Sequence, residues 1–249
     1  MNVFITGASA GFGQALARWF VQRGHRVIGT GRRQERLTAL RNELGANFHG
    51  LAFDLCDEAA LNQALAALPA EFQPIDVLVN NAGLARGLEP AQRADWADWQ
   101  QMIDTNISAL ARITHRLLPA MVERNRGHII NLGSIAGSYP YPGSNVYGAT
   151  KAFVKQFSLN LRADLLGTRV RVSNIEPGLC GGTEFSQVRF HGDAARAAAV
   201  YAGVQALSAE DVAAVIGWVA ELPEHVNINR LELMPTAQSF AGLAVARDN

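Results

Sequence analysis

The sequence predicts an α/β protein in which one doubly wound parallel sheet carries helices on both faces, with all 249 residues in a single domain. Three observations carry the prediction. Short Val- and Ile-rich runs lack the polar alternation of half-exposed strands, and they alternate with longer stretches of helical period. A glycine-rich turn stands at the first strand–helix junction. Strands apolar on both sides are buried on both sides, and parallel neighbours need a helix to bring the chain back.

The first strand is read at 3–6, where Val3, Phe4 and Ile5 are apolar in succession, and the first helix at 11–23. A second pair follows at 26–29 and 34–44, and a third at 48–54 and 58–68. The fourth strand, 75–79, runs into Asn80-Asn81-Ala82-Gly83. A long helical pattern covers 99–123, followed by a strand at 128–132, a helix at 146–165 and a strand at 169–175. Ser208 and Asp211 have capping-box spacing for a helix at 209–220, and 229–234 reads as the last strand. Between about 178 and 207 the periodicity weakens and Gly178, Gly181, Gly182 and Gly192 interrupt the chain. A long irregular segment after the carboxyl end of a strand reads as a substrate lid. The Trp96/Trp99 pair reads as packing at a helix start.

Composition narrows the function. The 22 basic and 22 acidic residues cancel, without a long run of either sign, which argues against nucleic acid or an anionic membrane as partner. Of the cations, only Lys151 and Lys155 are lysines. Cys56 and Cys180 form no paired spacing, and the six histidines are scattered, so neither a disulfide framework nor a metal site is expected. No run approaches the roughly 20 apolar residues of a membrane span. A cytoplasmic protein is expected.

Thr6-Gly7-Ala8-Ser9-Ala10-Gly11-Phe12-Gly13 links the first strand to the first helix. Glycines 7, 11 and 13 allow a tight turn and let a pyrophosphate approach amide N–H groups at the helix start, so Gly7, Ser9, Ala10, Gly11, Phe12 and Gly13 are candidate dinucleotide contacts. At the end of the second strand an acid would bind a ribose 2′-hydroxyl, whereas a 2′-phosphate needs a cation. Gly29-Thr30-Gly31-Arg32-Arg33 has two guanidiniums and no acid there, which favours NADP(H). Asp54, followed by Leu55, reads either as an adenine contact or as the N-cap of the next helix.

Ser134 lies just past the strand at 128–132; Tyr147 follows it, with Lys151 at i+4 on the same helix face. A free phenol, with a pKa near 10, is a poor base at neutral pH. A neighbouring ammonium and a positive nicotinamide ring would lower that pKa. Tyr147 would then exchange the hydroxyl proton, Ser134 would hydrogen-bond the same substrate oxygen, and Lys151 would hold ribose hydroxyls.

The glycine-rich loop, Asn80-Asn81-Ala82-Gly83, Asn106, Ser134, Tyr147, Lys151 and Pro177-Gly178 occur in the order and spacing of the short-chain dehydrogenase/reductase family, which nearly the whole chain resembles. The resemblance implies a Rossmann fold. It also implies cofactor contacts from Asn81, Ala82, Gly83, Pro177 and Gly178, and a role for Asn106 in bending its helix and holding a water in a relay to the lysine. Thr183 stands one residue beyond the family's usual position for a carboxamide contact, so the lid is expected to take its own path.

The stretches 30–37, 145–153, 176–186 and 225–229 are similar to the branch of NADP-dependent 3-hydroxy acid dehydrogenases, which includes serine or allo-threonine dehydrogenases and malonic semialdehyde reductases. That similarity implies L-serine, L-allo-threonine, 3-hydroxypropionate or 3-hydroxyisobutyrate as substrates, malonic semialdehyde in the reductive direction, and a homotetramer. A carboxylate substrate needs a cation. Arg189 in the lid is the candidate, with Arg86 as rival and a solvent-facing role as the alternative. The competing functions are reduction of bulkier carbonyls or 3-oxoacyl thioesters, and non-catalytic NADP sensing. The polar lid argues against the first, and the presence of Ser134, Tyr147 and Lys151 together argues against the second.

Overall fold

A computed structural model describes residues 1–240. Its strands are β1 (Asn2–Ile5), β2 (Arg26–Gly31), β3 (Phe48–Ala52), β4 (Val77–Asn80), β5 (Gly127–Leu132), β6 (Val170–Pro177) and β7 (Arg230–Leu233). They form one sheet in the order β3-β2-β1-β4-β5-β6-β7, with every pair parallel. The doubly wound sheet is therefore as expected. The order reverses between β1 and β4, which opens a crevice at their carboxyl ends.

The helices are α1 (Gly11–Gln22), α2 (Gln34–Leu44), α3 (Glu58–Ala66), α4 (Trp96–Ile103), α5 (Leu110–Glu123), α6 (Asn145–Asp164), α7 (Phe185–Arg189), α8 (Ala194–Ala199) and α9 (Ala209–Glu221). Alternate strand residues feed two cores. Val3, Ile5, Val77 and Val79 pack with Leu16 and Phe20 of α1, Leu37 of α2 and Ile216 of α9. Phe4, Ile28 and Leu78 pack on the other face with Leu61 of α3 and Ile113 of α5. Each such side chain contributes about 1.5–3 kcal/mol on burial. The two cores hold the strand ends rigidly enough to fix a site.

Strand ends differ from the sequence expectation by a residue or two, because pairing stops where the partner strand stops. The helix expected at 99–123 begins earlier, where Asp95 accepts from the Ala97 N–H at 2.9 Å, and it is not uniform. A π-helical turn, Asp104–Ala109, separates α4 from α5. Such wide turns recur at functional sites, and this one carries the buried Asn106. Trp99 packs beside Met102 and Tyr147, but Trp96 is largely exposed, so only half of that pair packs as expected. The capping box of α9 is formed: Asp211 N–H donates to Ser208 Oγ at 3.0 Å, and Ser208 N–H donates to Asp211 Oδ2 at 2.9 Å.

The 178–207 segment contains α7 and α8, which are too short to register as a period. Asp193 caps α8 by accepting from the Arg196 N–H at 3.0 Å. Backbone bonds from Gly181 N to Leu207 O (2.8 Å) and from Leu207 N to Leu179 O (3.0 Å) close its base.

Candidate active site

The turn from β1 to α1 leaves no room for side chains. Gly7 has φ +71°, and a Cβ on Gly13 would lie 2.2 Å from the Gly7 carbonyl oxygen. Asn81 buttresses the turn, its Nδ2 donating to Thr6 O at 2.8 Å and Gly7 O at 3.2 Å. The backbone N–H of Ala82 donates to Thr6 Oγ1 at 2.9 Å. The first turn of α1 has no acidic residue, and Ala10 offers no side-chain cap, so its amide N–H groups face the crevice without a competing carboxylate. A pyrophosphate fits this cradle. Ser9 is buried against Gly31, and Phe12 packs at the edge of the first core.

At the end of β2, Arg32 is exposed and has no carboxylate partner among the described residues. Arg33 is engaged: Nη1 and Nη2 grip the Glu184 carboxylate at 3.1 and 2.8 Å. Arg36 meets the same carboxylate at 3.0 Å. These arginines hold the Glu184 carboxyl below its ordinary range, the Arg33 hydrogen bonds contributing most. Glu184 and Arg36 were not anticipated. Arg36 stands at i+3 from Arg33, which is a legible signal; the pairing of Glu184 to Arg33 is not, because 151 residues separate them. Asp54 is exposed and accepts from Cys56 N–H at 2.9 Å, while Asp57 caps α3; the N-cap alternative for Asp54 is thus corrected. Leu55 is buried.

Asn106 joins three parts of the site. Its Oδ1 accepts from Leu84 N–H at 2.9 Å, and its Nδ2 donates to Leu84 O at 2.8 Å and Thr150 Oγ1 at 3.1 Å. The π turn points the amide toward the loop after β4. Gly83 lies between Asn106 and Lys151: a Cβ there would be 3.3 Å from Asn106 Oδ1 and 3.4 Å from Lys151 Nζ.

Ser134 follows β5 and accepts from Ala136 N–H at 3.1 Å, opening a short turn pressed against α6. Tyr147 and Lys151 sit one helical turn apart on α6, both buried. Lys151 Nζ donates to Leu132 O at 2.8 Å and lies 5.9 Å from the centre of the Tyr147 ring. Burial lowers its ammonium pKa from 10.5 to about 8. Burial also pushes the Tyr147 phenol well above its ordinary value; Ser134 and Arg189 pull the other way. In the coenzyme-free chain the lysine alone does not bring the expected lowering. Desolvation outweighs the neighbouring charges, and Lys151 is directed at a backbone carbonyl.

The 178–207 segment roofs this site. Pro177 ends β6, Gly178 N–H donates to Leu233 O at 2.8 Å, and Leu179 N–H donates to Gln238 Oε1 at 2.7 Å. Thr183 lies against Gly11, within 3.3 Å of where a Cβ would stand. The Phe185 ring is 5.8 Å from that of Tyr147, centre to centre. The Arg189 guanidinium lies 5.8 Å from the Tyr147 ring centre and donates to Tyr141 Oη at 3.1 Å and Gly87 O at 3.2 Å. Its buried Nη2 has no partner among the described residues. Arg86 is instead spent on Gln101, Val188 O and His191. Burial raises the Cys180 thiol to about 12, keeping it protonated. Among the described residues no helix is long and apolar enough to cross a membrane, and no metal-binding cluster is present.

Among the described residues, the doubly wound seven-stranded sheet, its glycine cradle, the Ser–Tyr–Lys cluster and an arginine without a carboxylate at the end of β2 together define a dinucleotide-dependent oxidoreductase. The profile described as short chain dehydrogenase matches residues 1–194, and the chain belongs to the short-chain dehydrogenase/reductase family. It is an NADP-dependent dehydrogenase acting on hydroxyl groups. The NADP-dependent 3-hydroxy acid dehydrogenase of Escherichia coli is 60% identical over 247 residues, 99% of this chain and 100% of that protein. The serine 3-dehydrogenase of Rhizobium radiobacter is 57% identical over 248 residues, 100% of this chain and 99% of that protein. A solved closed form of serine dehydrogenase complexed with NADP+ superposes with a TM-score of 0.99, at 60% identity and full coverage of both chains.

Proposed function

We propose that the protein interconverts small 3-hydroxy acids with their 3-oxo acids, using Tyr147 as general acid–base. The substrates are L-serine, L-allo-threonine, 3-hydroxypropionate and 3-hydroxyisobutyrate, with malonic semialdehyde taken in the reductive direction. The similar 3-hydroxy acid and serine dehydrogenases support the class. The observation that carries the carboxylate is the Arg189 guanidinium, held over the Tyr147 ring with a buried Nη2 that has no partner among the described residues. A small carboxylate below it would satisfy that donor and leave the 3-hydroxyl near the phenol.

NADP, when bound, supplies or takes the hydride. Gly7, Ser9, Ala10, Gly11, Phe12 and Gly13 would hold its pyrophosphate and Arg32 its 2′-phosphate, with Arg33 beside it committed to Glu184. Asp54, Leu55, Asn81, Ala82, Gly83, Pro177, Gly178 and Thr183 line the remainder of its site. Tyr147 Oη exchanges a proton with the substrate hydroxyl, and Ser134 Oγ hydrogen-bonds the same oxygen. Lys151, with its pKa near 8, can take or release a proton at Nζ close to working pH, and Asn106, facing the same Gly83, completes the relay. Residues 178–207 act as the lid of a single domain that excludes water from the phenol. The working form is a cytoplasmic homotetramer.

An NADPH-coupled screen of these hydroxy acids and malonic semialdehyde against neutral alcohols and bulky ketones tests the reading. Arg189→Met should lower kcat/KM for 3-hydroxypropionate by roughly 10- to 100-fold, the value of a charge-assisted hydrogen bond. A neutral secondary alcohol should lose much less. Equal losses on both substrates would remove Arg189 from carboxylate recognition.

A further inference from the structure

Three consecutive residues of the lid touch three different parts of the site. Thr183 lies against Gly11 of the phosphate loop, Glu184 grips Arg33 and Arg36, and Phe185 faces the Tyr147 ring. We propose that Glu184 is a positioning residue that fastens the lid to the adenosine end of the coenzyme site, with Arg33 as its principal anchor and Arg32 left to read the 2′-phosphate. The geometry separates the two arginines. Arg32 is exposed and has no carboxylate partner among the described residues, whereas both terminal nitrogens of Arg33 are committed to one carboxylate. Arg33 Nη2 also reaches Ser9 O at 3.5 Å, so its guanidinium is tied to the phosphate loop as well as to the lid.

A lone half-exposed ion pair contributes little, but this is a bidentate pair reinforced by a second arginine, a geometry in which surface charges do contribute. The latch is at one end of the lid, and Arg189 is at the end of the short helix that Glu184 precedes. Fixing Glu184 therefore fixes where α7 starts and where Arg189 hangs over the phenol. The effect on substrate rests on the reading of Arg189 as the carboxylate clamp; the effect on the lid does not.

The test compares wild type, Glu184→Gln, Arg33→Met and the double variant, all with saturating NADP. Two readouts are followed: the rate of tryptic cleavage after the exposed Arg196, identified by mass spectrometry, and KM for 3-hydroxypropionate. Each single variant should speed cleavage by about fivefold and raise KM by a similar factor, a magnitude suited to a reinforced surface pair. The double variant should be no worse than the worse single one, because the two residues act through one contact. Glu184→Gln should change the Kd of NADPH less than Arg32→Ala does. Unchanged cleavage in Glu184→Gln, or effects that multiply in the double variant, would overturn the latch. Faster cleavage with an unchanged KM would uphold the latch and overturn the carboxylate role of Arg189.

Discussion

Replacing Lys151 by Met exposes the electrostatic cost of burying an ammonium beside the phenol. In the folded chain burial depresses the pKa of Lys151 from 10.5 to about 8, whereas in the unfolded chain it titrates near its ordinary value. Between those two pH values the unfolded state holds more protons than the folded one, so unfolding free energy rises with pH. At about 1.36 kcal/mol per pH unit, the full rise is roughly 3 kcal/mol. Below pH 8 both states are protonated and the whole cost weighs on the fold. Methionine removes that cost but leaves Leu132 O without its donor, a loss of about 1–3 kcal/mol.

The two proteins should therefore have similar stability at pH 7. The wild type should gain roughly 3 kcal/mol on the variant as pH climbs to 10.5. Urea unfolding of the coenzyme-free proteins at one fixed protein concentration, repeated across that range, measures the difference. A difference independent of pH would refute desolvation as the cause of the lowered pKa.

Tyr147→Phe should bind NADPH with nearly unchanged Kd, by fluorescence titration, while turnover falls by about 10²–10⁴-fold, the usual worth of a general acid–base. Comparable turnover in the variant would sink the proton-transfer role. Arg32→Ala should reduce the preference for NADP over NAD in kcat/KM by roughly 10- to 100-fold through loss of a charge-assisted contact. The ratio should respond less to Arg33→Met, whose guanidinium is already committed to Glu184.

Local chemistry was readable where neighbours in sequence are neighbours in space. The i, i+4 spacing of Tyr147 and Lys151 places them one turn apart on α6, as found. Ser208 and Asp211 form their capping box because both partners belong to the first turn of α9. The π turn around Asn106 escaped the helical pattern, since the run of side chains at 96–123 is compatible with either winding. What selects the wide turn is the loop after β4, which offers Leu84 to the Asn106 amide.

The 178–207 segment failed for another reason. Its helices are too short for periodicity to appear, and they are held by contacts to distant elements, among them Gly87 and Tyr141.

The scarcity of lysine was visible from the start, as was the position of one of the two beside the tyrosine. The sequence alone determined the sheet, the glycine cradle and the spacing of Ser134, Tyr147 and Lys151, because apolar runs, glycine spacing and helical spacing are local properties of a chain. Tertiary structure decided the electrostatics. Burial drives the pKa of Tyr147 up and that of Lys151 down, and burial depends on what the rest of the chain packs around them. It also turned Arg33 toward Glu184 and left Arg32 in the open, because a guanidinium binds the carboxylate that folding brings within reach, however far away that residue lies in the sequence.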